Sequence, residues 1–277
     1  MNYTSPPLPF MGNKNRWVKQ LVEEFKNIKF NSNVVIVDLF GGSGILSHVF
    51  ASMYPNNQVI YNDYDNYLST FKLIPSINKF LDWARQFLNN KGYKQKEKIS
   101  DSDKHEIINK LKYIFGANFE KNDKLVNIIC SSLCFNGHIS INGTLYNNIR
   151  TRNFDEVKLS DYILPNIKVV HYEFETLVKK LKEERKNVFY ILDPPYLSTS
   201  KDYYKNDKYW GIEKTIAILK ICFKYKCILF ESDKSELLPL IYMICEIAKL
   251  KLNMDISEYK QLSGQSESND YYILFNL

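Results

Sequence analysis

An acid, two consecutive prolines and an aromatic ring, Asp193-Pro194-Pro195-Tyr196, follow directly on the apolar run VFYIL at 188–192. Each proline fixes its own φ and keeps the residue before it out of the helical region, so this segment is held extended and stiff. Neither proline has an N–H to donate. What is left is a rigid row of acceptors, the Asp193 carboxylate and the carbonyls of Pro194 and Pro195, ending in the flat ring of Tyr196. Such a row suits a planar group that offers N–H donors at its edge and a face for stacking. A strand end closed by a Pro-Pro turn, with Tyr196 as packing, has the same sequence, and the motif alone leaves both readings open.

Two further sets of residues have chemical spacing. DLFGGSG, from Asp38 to Gly44, closes the run VVIV at 34–37 and leads into the apolar stretch ILSHVFASMY. Strand, glycine-rich turn and helix together bring backbone N–H groups close to a nucleotide-like ligand, although the spacing is not GxGxxG. The third set is VIYND, whose Asp63 lies 22 residues beyond Gly41. An acid at the tip of the second strand of such a unit can accept hydrogen bonds from ribose hydroxyls; the alternative is a helix cap before NYLSTFK.

The elements that position these residues are short and buried. VVIV, VIYN and VFYIL, with IKVVHYEF, KCILFES and YYILFNL further on, are rich in β-branched and aromatic residues and predict a mostly parallel sheet. Between 76 and 160 the pattern changes to longer helical stretches, KFLDWARQFLNN, HEIINKLKYIFGANF and KLVNIICSSLCF, and then to the polar passage NGHISINGTLYNNIRTRNF. Asn142-Gly143 at the centre of that passage is a hairpin-turn signal. The expected organisation is therefore an α/β core, 1–75 and 161–277, closing around an inserted domain at 76–160. SGQSESND before the last strand reads as a substrate-side loop, and the polar stretch with Ser198, Tyr203 and Tyr204 after Tyr196 reads equally as a substrate-side loop or a disordered one.

Composition narrows the class. The chain has 277 residues, 45% of them hydrophobic, which is ample for a core. No apolar run is long enough for a bilayer and MNYTSPPLPF is not a secretory leader, so a soluble, intracellular (cytoplasmic) protein is expected. Five cysteines without a CxxC pair read as reduced core residues, and four scattered histidines imply no metal. The charge is unevenly spread. Residues 76–160 hold 14 Lys and Arg against 9 Asp and Glu, out of 37 against 31 in the whole chain, so nearly all of the +6 lies in the insertion. That is the footprint of a nucleic-acid-binding domain. KGYKQKEKISDSDKHE, with alternating signs, reads instead as a solvated helical face.

PLPFMGNK, DLFGGSG, VIYND, HYEF and DPPY, in that order, resemble the D12 class of DNA adenine-N6 methyltransferases, the group that includes the Dam enzymes. LCFNGHISINGTLYNNI is similar to the hairpin of that class's target-recognition domain. The resemblance runs from Pro9 to the terminal strand. It implies a Rossmann-like class I S-adenosylmethionine-dependent methyltransferase core, with a mixed, mostly parallel seven-stranded sheet, and an inserted, mainly helical target-recognition domain carrying a β-hairpin. Phe10, Gly12 and Lys14 match the N-terminal motif against the cofactor, Lys14 also nearing the active site. Asp38, Phe40, Gly41 and Gly44 match the loop at the methionine end, and Asp63 the ribose acid. Glu173 stands where the family usually has an aspartate beside the cofactor's adenine, with Phe174 near that ring. Asp193, Pro194, Pro195 and Tyr196 match the catalytic motif, Asp193 lying against the cofactor as well. Asn136, His138, Asn142, Arg150 and Arg152 are the expected DNA-binding residues of the hairpin region.

What this implies is transfer of a methyl group from S-adenosylmethionine to N6 of a flipped-out adenine in double-stranded DNA, with S-adenosylhomocysteine as product and no metal. Asp193 and the Pro194 carbonyl would accept the two N6 hydrogens while Tyr196 stacks on the base. Cytosine-C5 chemistry is a poor match, because no cysteine here follows a proline. Cytosine-N4 enzymes, RNA or protein amino-methyltransferases on the same fold, and a catalytically silent DNA-binding relative are the alternatives. The class brings in a restriction-modification or phage setting and a restriction endonuclease as functional partner, without a stable complex. GATC enters only as the site that Dam relatives commonly methylate.

Overall fold

The computed structural model describes residues 3–8, 10, 12, 14–94, 97–119, 122, 125, 126, 128, 129, 161–195, 211–232, 237–249, 253–263 and 266–277. Contacts divide the chain into two compact units, one of 1–4, 14–65 and 163–277 and the other of 5–13 and 66–162.

The first unit is built on a seven-stranded sheet. Its strands are β1 (Val34–Asp38), β2 (Val59–Asn62), β3 (Ile167–Val170), β4 (Asn187–Leu192), β5 (Lys226–Ser232), β6 (Met254–Ser263) and β7 (Ser266–Phe275). Their order is β3-β2-β1-β4-β5-β7-β6. Neighbours pair in parallel from β3 through β5, whereas β7 is antiparallel to both β5 and β6. β1 has β2 on one side and β4 on the other, so the order reverses there. A crevice at the carboxyl ends of strands beside such a switch point is where open α/β sheets bind ligands.

The central strands β1 and β4 are buried along nearly their whole length because helices cover both faces. Phe189 of β4 meets Phe25 and Phe50 at ring-centroid distances of 5.8 and 5.9 Å. Those rings belong to α1 (Val18–Phe25) and α2 (Ile45–Met53). The alternate residues Val188, Tyr190 and Leu192 pack with Phe174, Leu177, Leu181, Ile218 and Ile241. These come from α5 (Phe174–Glu183), α6 (Ile212–Lys224) and α7 (Leu237–Ala248). The side-chain alternation of a strand thus splits one apolar run between two cores.

The second unit includes α3 (Ile74–Asn90) and α4 (Asp101–Phe115). Ile77, Phe80, Leu81, Ala84 and Leu88 are buried on one stripe of α3 with Ile107 and Leu111 of α4. Leu8 and Tyr67 join that core, and the Tyr67 hydroxyl donates to the Leu8 carbonyl at 2.6 Å. The division at 65/66 thus falls ten residues before the change of pattern at 76, because the 3-10 turn Tyr67–Leu73 packs into this core.

Three sequence expectations need correction. KGYKQKEKISDSDKHE is not one solvated helical face. Helix α4 starts only at Asp101, where Ser100 caps it by accepting from the Asp103 N–H at 3.2 Å. Asp103 is buried, and Lys91 at 2.9 Å with the Ser100 and Tyr93 hydroxyls holds its carboxyl down to about 2. Nor is SGQSESND a loop throughout, since β6–β7 pairing runs as far as Ser263↔Ser266. β6 itself was not among the predicted strands. It is an edge strand with exposed positions at Asp255, Ile256 and Glu258, and so lacks the apolar run that marks the central strands.

Candidate active site

Asp38, Asp63 and Asp193 come to the same edge of the sheet because each ends, or directly follows, a parallel strand. Asp38 pairs in register with Ile191 of β4 and with Tyr61 of β2, which sets the three acids on adjacent strand ends.

Asp193 receives the Lys14 ammonium, Nζ to Oδ1, at 2.6 Å. Lys14 is buried and its Nζ also lies 5.9 Å from the Phe230 ring centroid. The Asp193 carboxyl is nonetheless pushed above the usual carboxylate range, because burial outweighs Lys14 and, more weakly, Arg16. Pro194 is buried and Pro195 half-buried, so the acceptor row after β4 is held in the protein rather than in water. A buried cation thus stands on the acid of this strand end.

Asp38 is 1% exposed. The Ser47 hydroxyl of α2 donates to its Oδ2 at 2.7 Å, while Oδ1 is buried with no hydrogen-bond partner among the described residues. Burial raises this carboxyl to about 7; Ser47 opposes the rise and the Asp193 charge adds to it. Leaving an acceptor buried and unmade is costly, and a ligand that brings a donor relieves that cost.

The turn between β1 and α2 is shaped by Tyr61. Its hydroxyl donates to the Gly42 carbonyl at 2.8 Å and lies 3.3 Å from Asp63 Oδ1. A Cβ on Gly41 would sit 2.2 Å from the Tyr61 ring and 2.9 Å from the Asn62 carbonyl. Gly44 has φ +76°, the left-handed region that favours glycine. Asn62 ties neighbouring strand ends together, its amide donating to the Leu39 and Tyr172 carbonyls that follow β1 and β3 at 3.0 and 2.8 Å. Asp63 caps no helix; the residue before the following 3-10 turn is Asn66.

Phe40 and Phe174 face each other with ring centroids 5.3 Å apart. Glu173 precedes α5, accepts from the Tyr64 hydroxyl at 2.9 Å and has Lys214 at 4.0 Å. Phe10 and Gly12 belong to the second unit, where the Phe10 ring is 5.4 Å from Tyr67. Tyr196, Asn136, His138, Asn142, Arg150 and Arg152 lie outside the described residues. Sequence reasoning missed Ser47, Tyr61, Asn62, Arg16 and Asp270. Of these, only Asn62 carried a signal, standing next to Asp63, which was already singled out. Cys222 and Cys227 are buried and Cys245 is half-buried, while Cys130 and Cys134 lie outside the described residues.

The strand order and the acidic strand ends define a class I, Rossmann-like methyltransferase. The chain belongs to the D12 class N6 adenine-specific DNA methyltransferase family, which it matches over residues 10–256. It is also 32% identical over 249 residues to a "Putative methyltransferase" of Haemophilus influenzae (strain ATCC 51907 / DSM 11121 / KW20 / Rd), covering 84% of this chain and 78% of that one. No helix among the described residues is long and apolar enough to cross a membrane.

A pH dependence follows from Asp38. Its folded-state value, about 7, is above the ordinary 3.8, so between those limits the native protein holds a proton that the unfolded chain has released. Stability of the free protein therefore falls as pH rises through this window. A cationic ligand set on Asp38 would need the ionised form, so its affinity would rise over the upper part of the same window. Denaturation and calorimetry between pH 5.5 and 7.5 are expected to show opposite slopes for stability and for S-adenosylmethionine binding, and Asp38→Asn is expected to flatten both. A parent-like slope in that variant removes Asp38 from the binding site.

Proposed function

We propose that the protein transfers a methyl group from S-adenosylmethionine to N6 of an adenine flipped out of double-stranded DNA. The observation that carries this reading is the buried Lys14–Asp193 pair, at 2.6 Å, beside the half-satisfied Asp38. The family supports adenine methylation of DNA, and membership of a methyltransferase family implies the donor. S-Adenosylmethionine supplies an electrophilic methyl group on a sulfonium.

The residues present fit that donor. Asp38 Oδ1 is an acceptor available to an ammonium, the glycine turn brings backbone close to the strand ends, and Asp63, at the end of β2, would take the ribose hydroxyls. Asp38, Asp63 and Asp193 together make an acidic edge, which suits a cationic ligand. Phe40 and Phe174 offer an apolar surface for the adenine end, with Glu173 beside it.

For the target base, Asp193 and the Pro194 carbonyl accept the two N6 hydrogens. This orients the nitrogen lone pair toward the methyl carbon and opposes its delocalisation into the ring. As the C–N bond forms and the C–S bond breaks, the charge growing on N6 is met by the Asp193 carboxylate. That carboxylate, raised by burial, is suited to take the proton that N6 gives up. Tyr196 stacks on the base, which has left the duplex because its N6 is out of reach inside the stack. Residues 76–160, with Asn136, His138, Asn142, Arg150 and Arg152, hold the DNA, and their net positive charge supports this.

The experiment is direct. Purified protein, tritiated S-adenosylmethionine and duplex DNA of mixed sequence are expected to yield N6-methyladenine by mass spectrometry, and mapping in a methylation-free host then gives the site. Label in cytosine or none at all ends the reading. For the insertion, Arg150→Ala and Arg152→Ala separate two contacts. A lost phosphate contact weakens all DNA alike and shallows the salt slope by about one, while a lost base contact costs roughly 1–3 kcal/mol at one position of the site. At least one of the two is expected to relax sequence choice. If both bind and discriminate like the parent, specificity lies elsewhere.

A further inference from the structure

Resting on the Asp193 acceptor role above, we propose that Arg16, pinned by Asp270, is a positioning residue for that carboxylate: the pair fastens the turn carrying Lys14 to β7, so that the Lys14 ammonium stays on Asp193. Arg16 lies in the 3-10 turn Asn15–Trp17 immediately after Lys14. Its guanidinium forms an ion pair with Asp270 Oδ2, whose side chain is 9% exposed. Asp270 is held in turn by the sheet, pairing in register with Ser232 at the carboxyl end of β5. Trp17, fully buried against Phe230 and Tyr272 at 6.1 and 5.1 Å, fixes the far end of the same turn on β5 and β7.

A four-carbon amine such as Lys14 has many rotamers, and its place depends on where its backbone is held. The Arg16–Asp270 pair and Trp17 hold that backbone. Arg16 also has a second effect, because its charge opposes the rise that burial imposes on Asp193. Among the described residues, the charged groups at this end of the sheet are Lys14 and Arg16 from the turn, Asp38 from β1, Asp63 after β2, Asp193 after β4, Glu231 from β5 and Asp270 from β7. Of the two cations, Lys14 touches the carboxylate and Arg16 keeps Lys14 there.

The test compares Arg16→Gln, Arg16→Lys, Asp270→Asn and the double variant R16Q/D270N. Single-turnover methyl transfer is followed against pH, with separate binding measurements for S-adenosylmethionine and for duplex DNA. Arg16→Gln is expected to lower the transfer rate about 10- to 100-fold, as for a misplaced reacting group. Its acid limb should move up by roughly 0.5 to 1 pH unit, with both dissociation constants near the parent's. Arg16→Lys keeps the charge but not the planar guanidinium that reaches Asp270, so its limb stays in place while the rate falls a few-fold. It also serves as the readout if the glutamine variant does not fold. Asp270→Asn is expected to slow transfer, and the double variant to be no slower than Arg16→Gln, since the two residues act as one device.

A parent-like limb and rate in Arg16→Gln overturns the proposal, as does weaker DNA binding with unchanged rate, which would make Arg16 a phosphate contact. Additive losses in the double variant overturn it too. Asp193→Ala, run alongside, separates the two levels: if it remains active the acceptor role itself is wrong, whereas an inactive Asp193→Ala beside a parent-like Arg16→Gln condemns only the positioning role.

Discussion

Replacing Asp193 by alanine is expected to slow methyl transfer roughly 10²- to 10⁴-fold, the range for removing a group that meets developing charge or takes a proton. S-Adenosylmethionine binding should change little, because its ammonium, ribose and adenine are assigned chiefly to Asp38, Asp63 and the Phe40–Phe174 pair. The alanine variant has a second consequence. Lys14 is buried and its ammonium rests on Asp193 Oδ1, so deleting the carboxylate strands a buried cation. Breaking a buried pair on one side costs about 3–5 kcal/mol in other proteins. Here the cost should be toward the lower end, because the Asp193 side chain is a fifth exposed. Asp193→Asn separates the two effects: it keeps an oxygen for Lys14 and for one N6 hydrogen, but cannot take the proton. It is expected to be better folded than Asp193→Ala by urea denaturation and still severely slow in single-turnover assays. An asparagine variant with more than about a tenth of the parent rate would show that the carboxylate charge is dispensable.

What could be read from the sequence, and what could not, follows from the range of the interactions. VVIVD, VIYND and VFYILD each put an acid after a short apolar run. Parallel strands buried on both faces must look like that, and their ends must lie together at one edge, so the strands and their acids were legible locally. Arg16 and Asp270 are far apart in the chain, and a lone arginine and a lone aspartate carry no period that would announce their meeting. Tyr61 was hidden for another reason. It sits inside a strand whose composition says only that it is buried, whereas its hydroxyl, at 2.8 Å from the Gly42 carbonyl, shapes the glycine turn. Asp103 and Lys104 are the reverse case. Their neighbourhood is rich in charge and reads as surface, yet Lys91, Ser100 and Tyr93 satisfy Asp103 well enough for it to be buried. Composition reports average burial and cannot see a partner supplied by the fold.

Gly41→Ala is the second large effect expected. The added Cβ would lie 2.2 and 2.3 Å from two atoms of the Tyr61 ring and 2.9 Å from the Asn62 carbonyl, and neither neighbour can yield cheaply. The ring is buried and tethered through its hydroxyl to Gly42, and the carbonyl is strand backbone. Relief therefore has to come from shifting the turn away from β2, or Tyr61 out of its seat beside Asp63. Overpacking of this kind costs typically about 1–3 kcal/mol of stability. The larger loss is expected in cofactor binding, about 30-fold or more, since the turn and Asp63 are displaced together. Gly44→Ala is a suitable comparison. There the strain is mainly the left-handed backbone at φ +76°, with the nearest Tyr61 atoms at 3.1 Å, so a cost of about 1–2 kcal/mol and a milder binding defect are expected. Trimming the obstacle supplies the decisive arm. In Gly41→Ala/Tyr61→Leu the ring that the new methyl strikes is gone, so the double variant should bind S-adenosylmethionine better than the sum of the two single losses predicts, by about 1 kcal/mol or more. Strict additivity in calorimetric titrations would mean that Gly41 and Tyr61 act independently, and that the close approach of the turn to β2 is not what shapes the binding site.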